Sequence, residues 1–279
     1  MQMHRVFTLG MLMALPALAP AQEQHCRYWQ ARDLPMDLAG IRRVAFEVGR
    51  HDLRLTAGPA GEAGFLQGRA CASGESRLPE LQLAQEKRGD LLTVRLQNPN
   101  ERGSITPFGD NYAYLQIHGI IPDTIAVALN VGSGDAELVG AASADVVVGS
   151  GDANIRNTRG EVRATAGSGD VDIDGASGVD FRAVGSGDAE VKRIRGPVTI
   201  GTVGSGDMKM RGVQGNIDIR TVGSGDIEIG NVTGNVSVGA IGSGDLSVSD
   251  ARGDLRVRSK GSGSIEHQGV SGSVDIPRR

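Results

Sequence analysis

GSGDIEIGNVTGNVSVGAI, residues 223–241, is one unit of the repeat that decides how this chain folds. Its opening tetrapeptide, Gly-Ser-Gly-Asp, begins at Gly132, Gly149, Gly167, Gly185, Gly204, Gly223 and Gly242, and a Gly-Ser-Gly-Ser variant begins at Gly261. The spacings are 17, 18 and 18 residues, then 19 four times. A tetrapeptide held at that period over half a chain marks a structural repeat.

Within the unit, Ile227 and Ile229 alternate with Asp226 and Glu228, and Val236 and Val238 alternate with Asn235 and Ser237. These are two short period-2 strands, each with one apolar and one polar face. A second turn, Val232 to Asn235, lies between them. The unit offers six inward aliphatics: Ile227, Ile229, Val232, Val236, Val238 and Ile241. No single unit can bury them. Stacking unit on unit, strands ~4.8 Å apart, buries one continuous core and satisfies the backbone through parallel ladders. The expected fold is therefore all-β, a single-stranded parallel β-helix (solenoid), right-handed, with about 19 residues per coil. A propeller would need roughly 40 residues per blade. The corner glycines are expected to supply positive φ and room for the turn.

Residues 1–21 read as a signal peptide: Arg5, an apolar stretch from Val6 to Leu18, then Ala19-Pro20-Ala21 as the cleavage signal. The apolar stretch is too short to span a bilayer. Residues 22–125 read as an N-terminal cap with irregular coils, and 126–279 as the regular β-helix. The N-terminal part carries Phe46, Phe65, Phe108, Tyr112 and Tyr114, with Tyr28 and Trp29 upstream, whereas from Leu115 onward Phe181 is the one aromatic residue. Solenoids need such an atypical end to cover the open core. Pro277-Arg278-Arg279 discourages a further strand at the other end.

Cleavage removes only Arg5 from 29 basic and 33 acidic residues, leaving a net charge of −5. Mild acidity without a basic stripe argues against nucleic acid and anionic lipid as partners, and the lack of a second long apolar stretch argues against membrane insertion. Cys26 and Cys71 are the two cysteines, and in an oxidising compartment they are expected to pair. They are too few for a structural zinc site.

The recurring apolar-Gly-Ser-Gly-Asp-apolar-x-apolar coil, behind a leader and a less regular segment, resembles the bacterial DUF4097/DUF2807 adhesin-type β-strand-repeat family. The resemblance covers roughly residues 41–279. It implies a β-helix and an envelope or surface location, and it brings no catalytic residues to carry over.

The candidate chemistry sits first in the aspartate column: Asp135, Asp152, Asp170, Asp188, Asp207, Asp226 and Asp245. Stacked carboxylates repel, so they must either hold a cation, Ca²⁺ being the expected type, or bond backbone amides of their own corner. The toxin-type calcium repeat is nine residues long, and this spacing does not match it. The serine column, Ser133 to Ser262, lacks a recurring base: His25, His51, His118 and His267 do not follow the period. Arg88-Gly89-Asp90 and Arg252-Gly253-Asp254 match an adhesive tripeptide, but each falls on a turn where glycine is expected. No carboxylate pair or sugar-stacking platform is singled out in the coils. No catalytic residue and no cofactor are therefore assigned. The expected function is a non-enzymatic exported scaffold or interaction surface in the cell envelope, most simply periplasmic. Its partner would be an envelope protein or a cell-wall polymer. The alternatives are a surface-displayed adhesin and a polysaccharide-processing β-helix enzyme.

Overall fold

The computed structural model describes residues 26–61, 64–98 and 111–277, and the leader, His25 and Phe108 lie outside them. Two sheets of twelve strands face each other across one core. From residue 126 on, each coil gives one strand to each sheet. Strand Ile227–Val232, for example, lies in one sheet and Val236–Ile241 in the other. Every strand pairs in parallel with its equivalent one coil before and after: Met208, Ile227, Leu246 and Ile265 form one such row. The chain is a flattened parallel β-solenoid of about 19 residues per coil.

All six aliphatics of the unit at 223–241 are 3% exposed or less. Phe181, the one aromatic of the regular coils, is fully buried, and its partner in the coil below is Ala164. A large side chain is thus accommodated by a small one next to it. The coil also lengthens visibly. Register shifts between Ala164 and Thr165, where Arg182 enters as a bulge residue, and the spacing reaches 19 thereafter.

The N-terminal region is built differently. Strands β1 (Tyr28–Pro35), β2 (Arg43–Gly49), β3 (Asp52–Gly58), β4 (Phe65–Ala72), β5 (Gln82–Arg88), β6 (Leu91–Gln97) and β7 (Ala113–Pro122) precede β8 (Ala126–Val131) and β9 (Ala136–Val139). β2 and β3 form the first coil, on which β8 and β9 stack. β6 and β7 come later in sequence yet pair with the opposite side of β2 and β3. The coil order in space therefore differs from the order in sequence. Antiparallel β4 and β1 then extend one sheet, and antiparallel β5 ends the other. A 3₁₀ turn at Glu75–Glu80 joins them and buries Leu78, with Leu81 buried just beyond it. Cys26 and Cys71 are disulfide-bonded, with Cα atoms 5.4 Å apart, which ties the start of β1 to the end of β4.

Candidate functional site

The Gly-Ser-Gly-Asp corners stack directly on one another. The second glycine of each, Gly134 through Gly263, is buried, while the serine and aspartate side chains are exposed. None of these corner glycines has positive φ. That corrects the expectation from sequence. The requirement is closeness between coils: a Cβ on Gly206 would overlap the carbonyl oxygen of Gly187 one coil below, and the same holds at Gly151, Gly169, Gly187, Gly225 and Gly244 with their equivalents. Positive φ falls elsewhere, on a column before the opposite turn: Gly140, Asn157, Gly175, Arg193, Gly212, Asn231, Asp250 and Gly269.

The aspartates do not bond their own corners. Each Oδ1 accepts the backbone N–H of the aspartate one coil on. Asp188 receives Asp207 at 2.9 Å, Asp207 receives Asp226 at 2.9 Å, and Asp226 receives Asp245 at 2.8 Å. Asp135, Asp152 and Asp170 do the same at 3.3, 3.2 and 2.8 Å, and Asp245 ends the series on Ser264 at 2.6 Å. The carboxylates are thus paired with N–H dipoles, which offsets their mutual repulsion.

A second ladder, which the sequence reading did not see, runs up the opposite turn. Asn216 Oδ1 accepts the Asn235 amide at 2.9 Å, Asn235 accepts that of Asp254 at 2.8 Å, and Asp254 accepts that of Ser273 at 2.7 Å. The Ser273 amide holds the Asp254 carboxyl below the usual carboxylate range. The signal was the recurrent Gly-Asn/Asp pair of the minor turn, obscured by Pro197 in an earlier coil. Asp254 belongs to one of the two Arg-Gly-Asp tripeptides. In the other, Asp90 is paired with Arg42 at 2.7 Å and Arg88 with Glu86 at 2.6 Å. Asp254, Asp90 and Arg88 are thus each engaged by neighbouring groups.

The column also reaches further down than Asp135. Gly49-Arg50-His51-Asp52 lies beneath Gly132-Ser133-Gly134-Asp135. Asp52 is the foot of the ladder, and its carboxyl is pushed up by burial first and by Asp135 second. His51 occupies the buried-glycine position. It is 1% exposed, and its Nδ1 accepts the Leu115 amide at 3.1 Å. Burial, with a smaller effect of Arg50, lowers its pKa to about 4, so the imidazole is neutral at pH 7. The signal available in sequence was Gly-x-x-Asp at residues 49–52.

Beside the corners lies a shallow acidic cleft of about 400 Å³, lined by Asp152, Asp170, Asp172, Asp188, Glu190, Asp207 and Lys209 among others. Burial, then Glu190, raises the pKa of Asp172. Among the described residues, no group of three or more His, Cys, Asp or Glu side chains is placed to hold a metal ion. His118 and His267 sit on strands, not in the serine corners. The outer faces carry ion pairs between successive coils, such as Arg156–Glu137 at 3.1 Å and Arg193–Asp174 at 2.6 Å. At the surface each contributes ~0–1 kcal/mol.

The comparisons with known proteins bear on this repeat. Residues 161–270 match the DUF2807 family model, described as "Putative auto-transporter adhesin, head GIN domain". The matched segment lies within the repeat. Among solved structures, the chain is similar to a "putative adhesin" from Bacteroides fragilis, at 13% identity and TM-score 0.48, over 87% of this chain and 98% of that one. It is also similar to a "Putative lipid binding protein" from Parabacteroides distasonis, at 17% identity and TM-score 0.44, over 90% of this chain and 98% of that one. No curated protein matches the chain. No helix among the described residues is long and apolar enough to cross a membrane.

Proposed function

We propose that this protein is an exported, non-enzymatic β-solenoid that serves as an interaction scaffold in the bacterial cell envelope, after removal of residues 1–21. The observation that carries the reading is the commitment of the aspartate column. Its carboxylates accept backbone amides coil after coil, so the most repeated ionisable groups are structural. What the coils then offer a partner is their long, regular outer faces. The disulfide fits an oxidising compartment, and the periplasm is the simplest one. The partner would be an envelope protein or a cell-wall polymer, reached without membrane insertion. The protein needs no cofactor in this reading, and Ca²⁺ is not required by the column.

Display on the cell surface as an adhesin is a second reading, favoured by the adhesin-head family match over residues 161–270. Protease treatment of intact cells separates the two: a periplasmic protein survives and a displayed one is cut. Crosslinking in living cells with identification of the captured partner tests the scaffold itself. Turnover of a glycan by pure protein, lost on a single carboxylate substitution, would overturn it.

A further inference from the structure

Among the described residues the two sheets have four outermost strands, and three of them are blunted. The last two strands, Ile265–Gln268 and Val274–Asp275, are four and two residues long. His267 stands in the row of Val248 and Ile229, a core position, so the first of these carries a polar group on its inward face. β5 ends in Glu86, Lys87 and Arg88, and Lys87 folds over to Asp37 at 2.9 Å. Short strands, inward polar groups and lysines are the usual protections against strand addition. β1 differs. It is eight residues long and, among the described residues, pairs on one side only, with β4; its one proline, Pro35, is its last residue and leaves residues 28–34 open. The disulfide anchors its start, and Arg32 anchors its middle by donating to the carbonyls of Leu81 and Leu78, both at 2.6 Å. On its outward face stands Trp29, the chain's one tryptophan, 64% exposed. A rigid edge with an exposed tryptophan is an interface feature.

We infer that β1 is a self-association edge, pairing antiparallel with β1 of a second copy about a two-fold axis through Gln30. Antiparallel addition continues the alternation already set by β7, β4 and β1. Residues opposite each other in an antiparallel pair share a face, so the axis must pass through a residue. An axis at Arg32 puts two guanidinium groups face to face. An axis at Ala31 sets Trp29 against Asp33. Only the axis at Gln30 sets Arg27, which immediately precedes β1 and lies 5.5 Å over the Tyr28 ring, against Asp33, twice by symmetry. The same register lays Trp29 over the small Ala31 and puts the two Gln30 amides together. This charge complementarity selects a second copy over a foreign strand.

The register makes sharp demands. Opposed Cα atoms on an antiparallel pair are ~4.5–5.5 Å apart, within disulfide reach. Gln30→Cys in the mature, disulfide-bonded protein is therefore expected to oxidise to a covalent dimer, with the bond mapped to position 30 by mass spectrometry. Asp33→Cys is expected to stay monomeric, since its two copies would be ~20 Å apart. In sedimentation over a concentration series, Arg27→Asp and Asp33→Arg should each weaken dimerisation at least ~10-fold. The double exchange should restore it, which also shows that the single variants fold. A protein that stays monomeric at every concentration, a strand from another protein captured on β1, or a dimer indifferent to either charge reversal overturns the inference.

Discussion

At the Gly-Ser-Gly-Asp corner nearly every coil repeats the same four residues, whereas the opposite turn holds Pro197, Asn216, Asn235, Asp254 and Ser273 at equivalent places. Yet both turns use one device, a side-chain oxygen that accepts the amide of the next coil. The difference is in space. At the corner the second glycine is buried against the backbone of the coil below, with no room for a Cβ. The opposite turn is close as well, since a Cβ on Gly196, Gly215, Gly234 or Gly253 would also meet backbone of the coil below, but it is less strict: it admits Ser177 at the place where Gly196 stands one coil later, and Pro197, which has no N–H to give to the ladder. Repetition in this sequence therefore tracks steric closeness more than chemistry. That is why the most repeated motif in the chain is a poor guide to what it binds.

The harshest way to break this comparison is to fill the corner. Gly206→Ala sets a Cβ into the Gly187 carbonyl, and backbone lies on both sides, so neither can give. The expected cost is at least ~3 kcal/mol, at the upper end of overpacking effects. Ser205→Ala, on the neighbouring exposed residue, should stay within ~0.5 kcal/mol. A chemical-denaturation series on both variants checks this, and equal midpoints would show that the buried corner has slack after all.

His51 sharpens it from the other side, because there the corner already holds a side chain. The imidazole is neutral when folded, with its pKa lowered to about 4 from the ordinary ~6.5. The unfolded chain therefore binds the extra proton first. Stability from this residue is complete above pH ~6.5 and declines as pH falls toward 4, by up to ~3 kcal/mol. His51→Gly puts glycine at the buried corner position, as in the coils above, and should flatten that acid slope. Thermal melts across pH 4–7 test it (the range in which this histidine titrates). An unchanged slope in His51→Gly would assign the acid sensitivity to other groups.

Much of this architecture was legible in the chain. The six aliphatics at 227–241, the alternation around them and the period all named the stacked coil, because parallel register copies the same residue onto the same place. The cysteine pair was legible by count and compartment. The N-terminal order was not: β6 and β7 slip beneath β2 and β3, and no local signal encodes a coil that stacks out of sequence. The aspartates were recognised as turn residues but assigned to their own corners, since side-chain hydrogen bonds between coils require the register first. The Asn216–Asn235–Asp254 ladder was hidden because Asn, Asp and Pro alternate there.

The two ladders can be compared directly by substitution. Asp226→Ala removes the acceptor for the Asp245 amide, and Asn235→Ala removes that for Asp254. Both should cost ~1–2 kcal/mol, as exposed but directional hydrogen bonds. Asp226→Asn keeps the oxygen and sheds one charge from the column, so it should be neutral or slightly stabilising. Added salt should raise the wild-type midpoint more than that of Asp226→Asn by screening the column. A melt with and without chelator should show no shift. A chelator-sensitive midpoint, or a loss in Asp226→Asn as large as in Asp226→Ala, would return the column to cation binding.

The smallest expected effect concerns the positive-φ column, where strain rather than space decides. Gly140, Gly175, Gly212 and Gly269 occupy it without cost, and Asn157, Asn231 and Asp250 are the side chains that best tolerate that region. Arg193, at φ 53°, has no such excuse. Its one visible return is the pair with Asp174 at 2.6 Å, with Arg193 71% exposed, where an ion pair contributes little. Arg193→Gly should therefore stabilise the protein by up to ~1 kcal/mol, the relief of left-handed strain outweighing the lost pair. Arg193→Asn should give part of that gain. Arg193→Ala discriminates between the two terms: it loses the ion pair and keeps the strained backbone, so it should not gain. If all three variants lose stability equally, the guanidinium contributes more than its exposed geometry accounts for, and the Arg193–Asp174 contact between coils matters more than the backbone it strains.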